Sequence, residues 1–264
     1  MRRLFALTLL AGLTTVTVEG WGPQGHRLVA MVAANHLTPA AHQGVKSLLG
    51  NESLADVAVW ADEYVRDHRE TAPWHYVNIP GDSTQYVSGR DCPQQNCVVD
   101  RIRQSRERLA NRALSRADRA TALKFLVHFV GDLHQPFHAI GIERGGNGIP
   151  VTVFGSSSCG RDPADRFPCS LHGLWDSDLI GHRRLRDGAY AVELERLIKA
   201  RQLRASGTAE DWALESNALA RAAVLRAGDD AGEAYYRAHI AQIDERLALG
   251  GLRLAQALNQ ALAP

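Results

Sequence analysis

The chain has 264 residues, 45% of them hydrophobic and 22% charged, with 30 Lys and Arg almost balanced by 29 Asp and Glu. That composition suits one globular domain with a sizeable core. A net charge this near zero excludes a protein that holds polyanions through a broad basic surface, so a phosphate-ester substrate would need positive charge from another source.

The first twenty residues read as an export signal. Arg2 and Arg3 form a short positive segment, "LFALTLLAGLTTVTV" (4–18) is apolar, and Val18 and Gly20 occupy the small-residue positions before a cleavage site. A membrane anchor is the alternative, but fifteen residues interrupted by four threonines are short for a span. No later run is apolar enough to cross a membrane. The expected mature domain is therefore 21–264, periplasmic or secreted, with 28 basic and 28 acidic residues. Cleavage leaves Trp21 first, and its free amine and carbonyl oxygen can chelate a metal, with His26 closing the grip. An α-amine with a pKa of about 7.7–8.0 loses its proton to a metal at little cost near neutral pH. Read alone, "WGPQGH" fits a frayed terminus better.

Helical signals dominate the remainder. Thr38-Pro39 sets an N-cap before a proline at the first helical position and opens "AAHQGVKSLL". Apolar residues at three- and four-residue intervals predict helices over 53–65, 100–114, 117–133, 211–225 and 232–262, with Gly250-Gly251 a candidate break in the last. The one convincing strand is "GIPVTVFG" (148–155), expected as a small hairpin or edge within an irregular glycine- and cysteine-rich excursion over 141–173. The fold class is mainly α, a single helical domain without internal repeats. Cys92 and Cys97 flank four residues, Cys159 and Cys169 nine. In an oxidising compartment two such short-range pairs point to loop-closing disulfides. A zinc site built from all four cysteines competes, although neither pair has zinc-knuckle spacing.

The chemistry-bearing residues concentrate in "HFVGDLHQPFH" (128–138). His128 and Asp132 stand at i and i+4 on one helix face. Pro136 ends or bends that helix and can bring His138 round to the same place. His172 and Asp176 repeat the spacing, and Asp62, His75 and His26 lie in similar short motifs. A single histidine on a helix face is more often a hydrogen-bonded core or surface residue than a metal ligand, and two pairs could still arise by chance.

Seven segments in order carry a resemblance: "WGPQGHRLVA", "VWADEY", "WHYVNIP", "FLVHFVGDLHQPFH", "GGNGIPVTVFG", "LHGLWDSDLI" and "DWALES". With the tryptophan at the expected mature terminus, they resemble the zinc-dependent single-strand nuclease and 3'-nucleotidase family, which shares its helical fold with bacterial zinc phospholipase C. The resemblance implies three Zn2+ ions. Asp62, His75, His128 and Asp132 would hold the first; His138, His172 and Asp176 the second; Trp21, His26 and again Asp132 the third. It implies in-line attack of a metal-activated hydroxide on phosphorus, acting on single-stranded DNA and RNA and on 3'-mononucleotides, with 5'-phosphorylated products and no stable protein partner. Nitrogen and oxygen ligands of this kind suit zinc.

Tyr76 and Asn78 resemble base-contacting positions, where an unpaired base could stack for about 1–3 kcal/mol; packing beside a ligand is the other reading of Tyr76. Gly146 and Asn147 are expected to line the same cleft. The family often places a phosphate-directed arginine three residues after the aspartate matched by Asp62. Here Val65 stands there and Arg66 follows, so Asp62 and Arg66 are the catalytic candidates, with the reach of Arg66 open. His134 is expected to be structural or to support the site without ligating, and His36, His42, His68, His182 and His239 to be solvated or capping. Two alternatives remain: a phosphodiesterase acting on phospholipid head groups with the same zinc cluster, and a non-catalytic zinc-binding protein.

Overall fold

The computed structural model describes residues 21–160 and 166–263. The export segment expected at 1–20 lies outside the described residues, as does part of the loop between Cys159 and Cys169.

Gly22 and Pro23 open α1 (Pro23–Asn35), a helix that the sequence reading did not separate from the metal motif. The helix α2 (Pro39–Leu49) starts as the sequence predicts, with the Thr38 hydroxyl accepting from the Ala41 amide. The expected helix over 53–65 divides. Ser53 and Asp56 bond each other reciprocally, main chain to side chain, and hold a separate turn. Only then does α3 (Trp60–Asp67) begin. The division has a consequence: Asp62 N–H bonds Val59 O at 3.2 Å, leaving Ala58 O to accept from His128 Nδ1 at 2.7 Å.

A 3-10 segment over Arg69–His75 delivers His75, and short turns including α4 (Ser88–Asp91) lead to α5 (Val98–Ala110). The central helix is α6 (Arg116–His134), capped by Ser115 and followed by a 3-10 turn over Pro136–Ala139. From Leu126 to His134 every residue of α6 is buried. An element buried on all sides must be surrounded, and α6 packs against α1, α2, α3 and α5 and against two later helices, Ala209–Ala223 and Glu233–Ala261.

The strand expected over 148–155 shrinks to β1 (Thr152–Val153), with β2 (Ser158–Cys159) and β3 (Phe167–Pro168) after it. β2 and β3 form a small antiparallel hairpin, whereas β1 pairs in parallel with β4 (Asp230–Ala231), Thr152 opposite Asp230. Phe154 and Gly155 both take positive φ, which ends the extended run. Next come α7 (Leu171–Gly173), a π turn over Leu174–Asp178, α8 (Leu179–His182) and α9 (Asp187–Arg201). α10 (Ala209–Ala223) opens with a full capping box between Thr208 and Asp211.

The last helix, α11 (Glu233–Ala261), runs unbroken through Gly250-Gly251, against the expected break. Packing explains the pair. A Cβ on Gly251 would meet Val32 side-chain atoms at 2.4 Å, and one on Gly250 would meet His134 at 3.2 Å. The glycines let α11 close on α1 and α6. The fold is mainly α, one domain, as the sequence predicts. Among the described residues no helix is long and apolar enough to cross a membrane. All four cysteines are consumed in disulfides, Cys92–Cys97 and Cys159–Cys169, with Cα atoms 5.2 and 4.9 Å apart.

Candidate metal centre

The last two turns of α6 present His128 and Asp132 inward, one turn apart, as their spacing requires. The 3-10 segment before Tyr76 brings His75 to them. His75 Nδ1 lies 3.1 Å from His128 Nε2 and 3.0 Å from Asp132 Oδ2, and Asp62 Oδ1 lies 3.2 Å from His128 Nε2. His26 enters from α1, its ring stacked on His128 at 3.9 Å and its Nε2 3.3 Å from Asp132 Oδ1. Gly131 makes that approach possible, since a Cβ there would meet His26 Nδ1 at 2.6 Å. Asp132 thus turns its two oxygens to different partners: Oδ2 to His75 and His128, Oδ1 to His26.

A second group stands at the end of α6. Pro136 turns the chain, and His138 Nε2 lies 3.1 Å from His172 Nε2, which is 3.3 Å from Asp176 Oδ2. The i, i+4 relation of His172 and Asp176 survives in an irregular helix, because α7 passes straight into the π turn that carries Asp176. Single π turns of this kind are frequent at functional sites. Gln135, missed by the sequence reading, donates from its side-chain amide to Asp176 Oδ1.

The donor set fits metal ions better than it fits hydrogen bonding alone. Two imidazole nitrogens face each other at 3.1 Å in each group. The outer nitrogens are already used: His128 Nδ1 on Ala58 O, His138 Nδ1 on His75 O at 2.7 Å, and His172 Nδ1 on Gly145 O at 2.6 Å. Each such bond fixes the tautomer that points a lone pair inward. His26 Nδ1 and Nε2, Asp62 Oδ1 and Asp132 Oδ1 are buried with no hydrogen-bond partner, a costly arrangement for a structural core. Ligand atoms about 2.0–2.1 Å from one tetrahedral zinc stand about 3.3 Å apart, which matches these separations.

Electrostatics in the protein alone agree. Burial opposes charge on His128, but Asp132 and Asp62 beside it raise its pKa well above the ordinary value. Burial likewise opposes charge on Asp132, yet the charge on His128 and the close ring nitrogens of His26 and His75 hold it well below the usual carboxylate range. His26 is lowered by burial and by neighbouring His128.

The remaining candidates fall around this core. Trp21 is fully buried beneath α1, a Cβ on Gly25 would meet its side chain at 2.7 Å, and the adjoining Gly22 N–H bonds Asp176 O at 2.7 Å. Arg66 is exposed at i+4 from Asp62 on the last turn of α3, while Val65 is buried. Tyr76 is half-buried and Asn78 exposed. Their segment is fastened to the His138 turn by Val77 N–H on His138 O and Gly141 N–H on Ile79 O. Gly146 is buried and Asn147 exposed, on a turn where Glu143, Arg144, Gly145 and Gly146 take φ of 43°, 56°, 66° and 82° in succession. Left-handed backbone costs a non-glycine residue about 1–2 kcal/mol. At position 145 glycine is required outright, because a Cβ would meet Phe137 O at 2.6 Å.

His134 is buried away from both groups. Its Nδ1 bonds Val130 O, and Arg253 Nη1 lies 3.0 Å from its Nε2. Burial, with Arg246 and Arg253 nearby, puts its pKa well below the ordinary histidine value. Behind it Arg246 and Arg253 share Glu215, Ser216 Oγ bonds Leu133 O, and Asn217 Nδ2 bonds Ala139 O. Ser216 on Leu133 O and Arg246 on His134 O tie down carbonyls that α6 leaves free at its end, and Asn217 holds the turn that follows. Of the other histidines, His36 pairs with Glu195, His68 with Glu70 and His182 with Glu233, and none joins either group.

Residues 21–263 match the S1/P1 nuclease family. Nuclease P1 of Penicillium citrinum is 32% identical over 91% of this chain and 97% of its own. Nuclease S1 of Aspergillus oryzae is 28% identical over 98% of each, and Endonuclease 2 of Arabidopsis thaliana 28% identical over 92% and 91%. The chain belongs to the S1/P1 nuclease family, a hydrolase of nucleic acids whose candidate metal groups lie at the inner end of α6.

Proposed function

We propose that this nuclease cleaves phosphodiester bonds of single-stranded DNA and RNA, leaving 5'-phosphorylated products, and removes phosphate from 3'-mononucleotides, with three Zn2+ ions bound. The observation that carries the zinc assignment is Asp132: fully buried, it turns one oxygen to His75 and His128 and the other to His26, as a carboxylate shared between two ions would. The proposed sets are Asp62, His75, His128 and Asp132; His138, His172 and Asp176; and Trp21, His26 and Asp132. Bound zinc would supply concentrated positive charge and a water acidic enough to attack phosphorus near neutral pH.

The protein's own residues do the positioning. His128, His138 and His172 are held in one tautomer each by main-chain carbonyls, and Gln135 fixes the outer oxygen of Asp176. Asp62, on the first turn of α3, keeps partial exposure, so the cluster opens to solvent alongside α3, where Arg66 one turn further on can meet a phosphate oxygen. Tyr76 offers a ring for stacking and Asn78 polar groups for a base edge. Stacking needs an unpaired base, which favours single strands. The near-neutral surface supports the same reading, since the charge that holds phosphate would come from the metal ions.

We also propose that residues 1–20 are an export signal removed after Gly20, freeing the Trp21 amine. The two disulfides support an oxidising destination.

The test is side-by-side hydrolysis of single-stranded DNA, RNA, 3'-AMP and phosphatidylcholine, with and without a chelator. Cleavage of the first three, abolished by chelator and restored by zinc, is the expected result. Preference for the phospholipid, or activity indifferent to chelation, would overturn it.

A further inference from the structure

The turn over 143–146 holds two successive non-glycine residues in left-handed backbone, one of them Arg144. Such strain persists only where the surroundings over-determine it, and it gathers at ligand clamps. Here the surroundings are explicit. Gly145 O accepts from His172 Nδ1 at 2.6 Å, Gly146 N–H bonds Ile142 O and Gly148 N–H bonds Glu143 O, both at 2.9 Å. Arg144 is therefore held by main chain directly beside the His138–His172–Asp176 group. A glycine at 144 would take this backbone without penalty, so stability does not explain an arginine there.

Its charge is also available. Arg144 is exposed, and among the described residues no ion pair or hydrogen bond engages its guanidinium. The neighbouring Glu143 carboxylate lies against Gly148 instead, where a Cβ would meet it at 2.8 Å. Position 65 is a buried valine, and Arg66 stands with Asp62 beside the other group.

We infer that Arg144 binds a backbone phosphate of the substrate strand at the His172 side of the site, opposite the end served by Arg66. The inference rests on the nuclease reading above. A guanidinium fork suits phosphate oxygens, and a rigid turn positions it at low entropic cost.

The experiment compares the metal-loaded wild type with Arg144→Gly and Arg144→Lys. Equilibrium titration uses an oligothymidylate with phosphorothioate linkages, slow to hydrolyse, and the same oligomer with uncharged methylphosphonate linkages. Arg144→Gly should bind the charged oligomer about tenfold more weakly. Its log K against log salt slope should be shallower by roughly 0.7, one single-strand phosphate contact. Binding of the uncharged oligomer and zinc content should not change, and the melting temperature should be equal or higher. Arg144→Lys should keep the salt slope. Unchanged binding in Arg144→Gly, or equal loss on both backbones, would overturn the role of Arg144 while leaving the nuclease reading intact. A wild type that neither binds nor cleaves the single strand would defeat both.

Discussion

At the scale of single residues, Asp132 concentrates the chemistry. Its fully buried carboxylate turns one oxygen to the His75–His128 pair and the other to His26, so its replacement should not act on one ion alone. Asp132→Asn keeps the shape but loses the charge and offers one weak oxygen donor. Metal analysis of the purified variant should show more than one zinc lost per chain; loss of a single zinc, with the others at full occupancy, would refute the shared ligand. Zinc uptake by the wild type should also release protons, because His128 is held above its ordinary pKa and must give up its proton to become a ligand. Affinity should therefore rise with pH up to that raised value. The side chains that gather into the two groups were legible in the sequence, through i, i+4 spacing and resemblance. Their supports were not. Gln135, Ser216, Asn217 and Arg246 act through main-chain or ligand oxygens that no periodicity reveals, and Gly131 looks like any helix glycine until His26 is placed against it.

At the scale of elements, sequence patterns located helices well and misjudged their ends for identifiable reasons. The Ser53–Asp56 exchange stops α3 from starting early, and that frees Ala58 O for His128. Gly250-Gly251 reads as a break when only propensity is weighed, since each glycine costs up to about 1 kcal/mol against alanine. The structure shows why the helix continues: the pair forms the floor on which α1 and the end of α6 sit. Gly251→Ala is the decisive variant. Better helix propensity predicts a small gain, whereas a Cβ at 2.4 Å from Val32 predicts a loss of about 1–3 kcal/mol from overpacking. A lowered denaturant midpoint with an unchanged slope supports the packing account. A raised midpoint would mean that α1 can retreat freely. The short strands were illegible for a different reason, because β1 finds its partner in β4, nearly eighty residues away, through a pairing that no local pattern announces.

At the scale of the whole molecule, the fold serves to bring α1, the 3-10 segment before Tyr76, the end of α6 and the α7 turn to one buried place. Three of these four are internal segments; the fourth is the start of the expected mature chain. Trp21 is buried and Gly22 is bonded to Asp176 O, so the first residues of that chain are fixed against the second histidine group. An α-amine is a good donor only when nothing precedes it, since an upstream residue converts it to an amide. The expectation is that activity depends on a terminus made by cleavage. Protein beginning at Trp21 should be compared with protein carrying one additional alanine, both folded and zinc-loaded. The longer chain should bind less zinc and lose most turnover on single-stranded substrate, with its helicity preserved, because one ion would lose its amine donor and with it the chelate ring that the amine closes with the Trp21 carbonyl. Equal zinc content and equal turnover in the two proteins would show that the terminus is not a ligand. The unpartnered nitrogens of His26 would then require a different explanation.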